Sequence, residues 1–401
     1  MAITLRWDVP VHLRDEAEAV LRAWDVLERE RGGEPVVDFD CAPVAAEVEA
    51  APDRLWVYRR LRELRGRASG ALAVRLDGDL AYLGALLGQR RSLDEYVRAT
   101  QGCAAAGWPE EYVVERGEVA RAALESLDVS WGPDTVAELE HLEGPLPVEA
   151  AGEAIRRAAE RYEPAVRALT GATASYRLAI EAVEVDAYWA FWLDGAGEDV
   201  RLRLNLTNAR FTEAGARRFA LHEVLGHGLQ SVGIGAHGAD APWPRLLSVH
   251  VPYQVALEGL AQAMPLFVAA DDPVLTACVR LDHYVQLVRS ELHLAVNDGA
   301  DPVTCADHAR ARVPWWRDRA IADQLTDRGA DPSLRSYLWA YPTGLDWFAA
   351  LAEADTKVIE KVFHALYRAP LTPAELAVLH PAGPPFGGPG RPVRLRPAAV
   401  P

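Results

Sequence analysis

His222-Glu223-Val224-Leu225-Gly226-His227 lies inside an apolar run from Phe219 to Leu229. Two imidazoles and a carboxylate in six residues are the makings of a zinc site that carries its own general base. In the familiar HExxH arrangement the histidines sit four apart, and ~100° per residue returns the second to the first one's helix face. Here they sit five apart, so a regular α-helix would splay them by roughly 140°. The interval therefore predicts a helix widened by a bulge of the π type, a feature common at functional sites; the alternative is an accidental pair. Gly226, just before the second histidine, lowers the cost of such a distortion.

A metal site needs several ligands converging from neighbouring elements. Seven of the eleven histidines fall between residues 222 and 308. His222 and His227 would bind through ring nitrogens, leaving a third protein ligand and one open position for water. Glu223 would take a proton from that water and pass it to a leaving group. The third ligand is expected on a following helix. Glu258 is embedded in Val255-Ala256-Leu257-Glu258-Gly259-Leu260-Ala261, where a lone carboxylate must be paired, protonated or metal-bound. Metal binding resolves that burial most cheaply, an ion pair with an arginine being the alternative. His250 is the reserve ligand, in a segment that reads as a loop.

HEVLGHGLQ resembles the HExxPGHxLQ motif of a bacterial family of predicted zinc peptidases, in which EGWA, DTGLH, YxxG and FHxxLL segments follow. This chain has counterparts in the same order: Glu258-Gly259-Leu260-Ala261, Arg289-Ser290-Glu291-Leu292-His293, Tyr341-Pro342-Thr343-Gly344 and Phe363-His364-Ala365-Leu366-Tyr367. The likeness spans about residues 200 to 380 and implies His222, His227 and Glu258 as metal ligands with Glu223 as base. It also departs from the pattern. The proline is missing, Arg289 replaces an aspartate and Leu260 a tryptophan, which bears on substrate preference more than on the metal. The shortened His-Glu-x-x-Gly-His form is similar to that of dipeptidyl peptidase III, and the tubulin tyrosine carboxypeptidase-like group also uses HExxxH.

Hydrolysis of this kind also needs a donor to the oxyanion that develops on the attacked carbonyl. Tyr341 and His293 are the candidates, and Arg335 can receive a substrate carboxylate through a bidentate contact. Each has an ordinary structural role open to it as well. Asp282 and Asp346 are possible orienting groups for a ligand histidine.

The elements that must hold these residues are mostly helical. Residues 1–165 read as an N-terminal helical scaffold or lid, with helices near Leu13–Arg31, Pro52–Arg67, Ser92–Ala105 and Val148–Leu169. Residues 166–380 form the expected catalytic region. There Tyr176–Val185, Tyr188–Leu193 and Val200–Leu206 read as strands, with Asp194-Gly195-Ala196-Gly197 as the turn between the last two. This small sheet is either a packing element or an edge that pairs with an extended peptide. Helices resume from Thr212 to about Leu379, and residues 381–401, rich in proline and glycine, are an extended tail. The expected fold is mainly α, with a short antiparallel sheet beside a deep cleft between two lobes and the histidine and Glu258 helices as its floor. The resemblance implies a gluzincin-like metallopeptidase architecture.

The net charge of −16 argues against nucleic acid or anionic membranes as partners. Lys357 and Lys361 are the only lysines, which disfavours Schiff-base chemistry. No basic start followed by an apolar stretch opens the chain, and no run approaches a membrane span. Cys41, Cys103, Cys278 and Cys305 form no CxxC pair and read as reduced structural thiols. A cytoplasmic zinc hydrolase acting on an amide bond of a peptide, or of an amino-acid-derived small substrate, is the expectation. Two alternatives stay open: iron chemistry on a two-histidine, one-carboxylate triad, recruited to small-molecule biosynthesis, and a non-catalytic binding protein.

Overall fold

The computed structural model describes residues 11–185, 190–208 and 210–395. It is mainly helical, with one five-stranded sheet and one two-stranded ribbon. The N-terminal helices fall close to their expected places, as Val11–Glu30, Arg54–Arg67, Leu93–Gln101 and Ala151–Thr170. Gly70–Leu86, Glu110–Glu125 and Thr135–Glu143 add three more. Caps fix several starts. Asp53 accepts the Trp56 N–H, and Ser92 and Glu95 form a reciprocal capping box.

The strands are β1 (Phe39–Asp40), β2 (Pro145–Leu146), β3 (Arg177–Val183), β4 (Phe191–Ala196), β5 (Asp199–Asn205), β6 (Phe211–Thr212) and β7 (Leu246–Leu247). Tyr188 and Trp189, the start of the expected second strand, lie outside the described residues, as does the end of the tail. The main sheet runs β3-β5-β4-β1-β7 and is mixed, not antiparallel. β4 and β5 form the expected hairpin, but β3 joins the far side of β5 in parallel and β1 joins β4 in parallel. The expected all-antiparallel sheet does not form, because β3 and β4, consecutive in sequence, are not neighbours. The turn also moves. Asp194, Gly195 and Ala196 pair within β4, and the hairpin closes on Gly197-Glu198, where Gly197 supplies a φ of +60°. Along β5, Val200, Leu202 and Leu204 are buried, as the strict alternation requires.

β1 carries the N-terminal region into this sheet, between β4 and β7. The separate ribbon of β2 and β6 also ties the N-terminal region to the later part of the chain, and its Thr212 caps the helix that follows. The main core joins the Ala151–Thr170 helix to β5, to the histidine helix and to Leu345, Phe348, Phe363 and Leu366. The tail has no regular element before residue 395, yet it packs. Phe386 stacks on Trp347, and Gly107 exchanges backbone hydrogen bonds with Gly387 and Gly390. All four cysteines are buried and unpaired. Among the described residues no helix is long and apolar enough to cross a membrane.

Candidate metal centre

The histidine helix is α-helical over Glu213–Phe219, π-helical over Ala220–Gly228, and α-helical again over Leu229–His237. The Leu229 N–H donates to the Val224 carbonyl, five residues back. This wider winding brings side chains five apart onto one face, as the His222–His227 interval demands. Three contacts hold it. Leu221, Val224 and Leu225 are fully buried in the core, each contributing ~1.5–3 kcal/mol of apolar burial. Tyr367 reaches into the helix and donates its hydroxyl to the Leu225 carbonyl at 2.6 Å. Gly226 lies against the next helix so closely that a Cβ there would sit 2.9 Å from Ala261 Cβ.

That next helix, Gln254–Ala263, carries Glu258. It crosses the Ala340–Leu351 helix at two glycines, Gly259 and Gly344. A Cβ on Gly344 would meet the Val255 carbonyl at 2.4 Å, so only glycine permits the approach. The pairing explains why a glycine follows Glu258 and another lies three residues beyond Tyr341. The crossing sets Tyr341 and Tyr337 beside the buried carboxylate.

The ligand atoms of His222, His227 and Glu258 all lie within 4.8 Å of one another. The two Nε2 atoms are 3.2 Å apart. Glu258 Oε2 is 3.6 Å from that of His222, and Oε1 is 3.7 Å from that of His227. A tetrahedral zinc with bonds of ~2.0–2.1 Å spaces its ligands by about 3.3–3.4 Å, so the three fit a single ion. The state of Glu258 supports the fit independently. Its Oε1 accepts from Tyr337 Oη at 2.7 Å and from Gln254 Nε2 at 3.1 Å, whereas Oε2 is buried with no hydrogen-bond partner. An orphaned buried carboxylate oxygen is costly unless a cation completes it.

The local electrostatics point the same way. Burial lowers the pKa of both histidines, His222 well below its ordinary value and His227 to about 4, so both are neutral and able to bind metal. Burial pushes Glu258 up to about 7, against its hydrogen bonds to Tyr337 and Gln254. Glu223 is pushed up to about 8, first by burial and then by the charge of Glu258. Two acids raised together mark a place that lacks positive charge.

Glu223 Oε1 is 3.7 Å from His222 Nε2, and the group opens onto a cleft of about 1180 Å³. The cleft walls come from both halves of the chain: Phe39 and Glu143 from the N-terminal part, Trp192 of β4, Leu247 of β7, and Tyr337 and Tyr341. Tyr341 Oη donates to Tyr337 Oη at 2.6 Å, and burial raises its pKa well above the ordinary value, so it stays a neutral donor.

Other expected residues are placed elsewhere. His293 is fully buried, accepts from Arg328 at Nδ1 (3.3 Å) and meets Trp339 edge-on, and it does not line the cleft. The oxyanion role for His293 is therefore withdrawn. Arg335 donates to Asn297 Oδ1 at 2.6 Å and to the Arg91 carbonyl, beside a separate cavity of about 350 Å³. It is two residues from Tyr337, ~200° around the helix, so it cannot share that residue's face; its expected role in substrate binding is withdrawn too. His250, the reserve ligand, bonds Asp79 and stacks on Tyr82. Asp346 accepts from His283, Trp108 and Tyr112, and Asp282 pairs with Arg218, so neither orients a ligand histidine.

Tyr337 and Gln254 were missed. Each lies four residues before a residue already singled out, Tyr341 and Glu258, one helical turn away. Tyr337→Phe removes the donor that fixes Glu258 Oε1. Loss of such a supporting bond weakens metal affinity by about 10–100-fold, and a chelator-competition titration should register that drop with the fold intact.

No family model matches this chain, and no curated protein does. Among solved structures, the "putative lipoprotein" from Colwellia psychrerythraea aligns with a TM-score of 0.49 at 14% identity, over 88% of this chain and 57% of that one. This chain thus spans a little over half of that protein. The M32 carboxypeptidase from Deinococcus radiodurans R1 aligns with a TM-score of 0.39 at 15% identity, over 95% of this chain and 78% of that one.

Proposed function

We propose that the protein is a zinc-dependent hydrolase that cleaves an amide bond in a peptide or a peptide-like small substrate. One observation carries the reading: a π-wound helix brings His222 and His227 within 3.2 Å of each other, beside a buried Glu258 oxygen that has no protein partner. His222, His227 and Glu258 would hold the ion. When bound, zinc polarises a carbonyl and lowers the pKa of water. Glu223, adjacent in sequence and open to the cleft, takes the proton from the attacking water and hands it to the departing amine. Tyr341 turns its O–H from Tyr337 toward the carbonyl oxygen as negative charge develops there. Gln254 and Tyr337 hold one oxygen of Glu258, which leaves the other for the metal. The cleft, of about 1180 Å³, has room for a short extended chain, with Leu247 of β7 on one wall.

Metal analysis of purified protein together with a peptide-library cleavage assay tests this. The expected result is about one zinc per chain and cleavage that a chelator abolishes and added zinc restores. Stoichiometric iron with no cleavage would reject the reading in favour of oxygen chemistry.

A further inference from the structure

We propose that the cleft contains a subsite for a cationic group of the substrate, an ammonium or a guanidinium, with Asp38 as its counter-ion; this rests on the peptide reading above. Asp38 stands just before β1, where its own N–H is bonded to the Leu247 carbonyl, and its side chain lines the same cleft as the metal ligands. The Val249 backbone lies beside its carboxylate. Among the described residues no arginine, lysine or histidine lies within ion-pair distance of it. The nearby cations are committed elsewhere, Arg29 to Asp25 and Arg75 to Asp79.

The surroundings make that absence costly. Its enclosed position, and after that the negative charges of Asp25 and Glu34, raise Asp38 to about 8. A partly buried carboxylate facing a cleft without a counter-ion gains from a cation delivered to it. The other acids of the cleft are differently placed. Glu143 accepts from Thr212 and Cys278, and Asp282 holds Arg218. Glu34 and Glu140, which also line the cleft, are exposed, so Asp38 is the partly buried cleft acid outside the metal group that lacks an ion-pair partner or side-chain donor among the described residues. The Ser248-Val249 segment that meets it leads into the Gln254–Ala263 helix bearing Glu258. Asp38 and the metal ligands line one cleft, so the proposed substrate would span both.

The cation can be an α-amino group or a basic side chain, and four matched peptides distinguish them: free or acetylated at the N-terminus, with lysine or norleucine at one position. Equilibrium binding is measured by fluorescence anisotropy in a Glu223→Gln background, with and without Asp38→Asn, and cleavage is measured with Glu223 intact. The expected result is that at least one kind of positive charge tightens binding about tenfold or more. Asp38→Asn should abolish that gain and leave the doubly neutral peptide unchanged. Which charge matters names the source. Equal affinity for all four peptides, equal weakening of all four by Asp38→Asn, or no binding at all overturns the subsite. Should Asp38→Asn fail to fold, Asp38→Ser and the charge preference of the unsubstituted chain decide. Charge-dependent binding without cleavage would retain the subsite and reject the hydrolase reading, whereas charge-blind cleavage would do the reverse.

Discussion

Glu223→Gln should retain metal and fold while losing ~10²–10⁴-fold in turnover, the range expected when a general base is removed. Glutamine keeps the shape of the side chain but cannot accept the proton. Glu223 lies outside the three-residue ligand group, so metal content should be unchanged. The pH profile offers a second check with a definite sign. Glu223 works only when ionised, so activity should rise with pH through its pKa. Burial and Glu258 raise that pKa to about 8 in the metal-free chain, and the positive charge of a bound ion pulls it down. The acid limb of kcat/KM should therefore fall below pH 8, and the residual activity of the variant should lack it. A variant as active as the parent would remove Glu223 from the chemistry and leave the protein a binder.

The histidine interval and the apolar setting of Glu258 were legible because each is a local relation, whereas the Tyr-x-x-Gly segment stood out only through the resemblance. Ligands five positions apart demand a π turn, and a carboxylate in an apolar helix demands a partner. The tyrosine and glycine segments acquire their reason only in three dimensions, since Gly344 has to meet Gly259 for Tyr341 to approach Glu258. The errors arose where sequence distance stood in for spatial distance. His293 and Arg335 lie in segments that align with a motif or neighbour one, yet helical phase turns both away from the cleft. The mixed sheet was invisible for the same reason. Nothing in β3 or β1 shows that each will pair in parallel, because that depends on which strand's flank is open when the core closes. Asp38 gave no sign either. Its meaning depends on Asp25, Glu34 and Val249, of which Val249 is remote in sequence.

Glu258→Gln should push metal affinity and metal-free stability in opposite directions, which separates a ligand from an ordinary buried acid. Removing one of three ligands, and the only one carrying negative charge, should weaken zinc by at least ~100-fold in a chelator competition; loss of a mere supporting group already costs 10–100-fold. The stability effect follows from linkage. Folding raises the pKa of Glu258 from 4.5 to about 7, so the folded state holds this proton more tightly than the unfolded one. That contribution is fully present below pH 4.5 and is lost as pH rises through 7, amounting to on the order of 3 kcal/mol as an upper bound. Glutamine has no proton to lose. At pH 8 the metal-free variant should therefore unfold at higher denaturant than the metal-free parent, the two should converge near pH 4.5, and with saturating zinc the parent should be the more stable. An ion pair with a buried arginine would give the opposite sign at pH 8, because removing one partner of such a pair strands the other charge. The same variant tests the orphaned oxygen. If Oε2 is completed by a metal rather than by protein, the parent should release about one proton more per zinc bound near pH 6 than the glutamine variant, whatever Glu223 contributes in both.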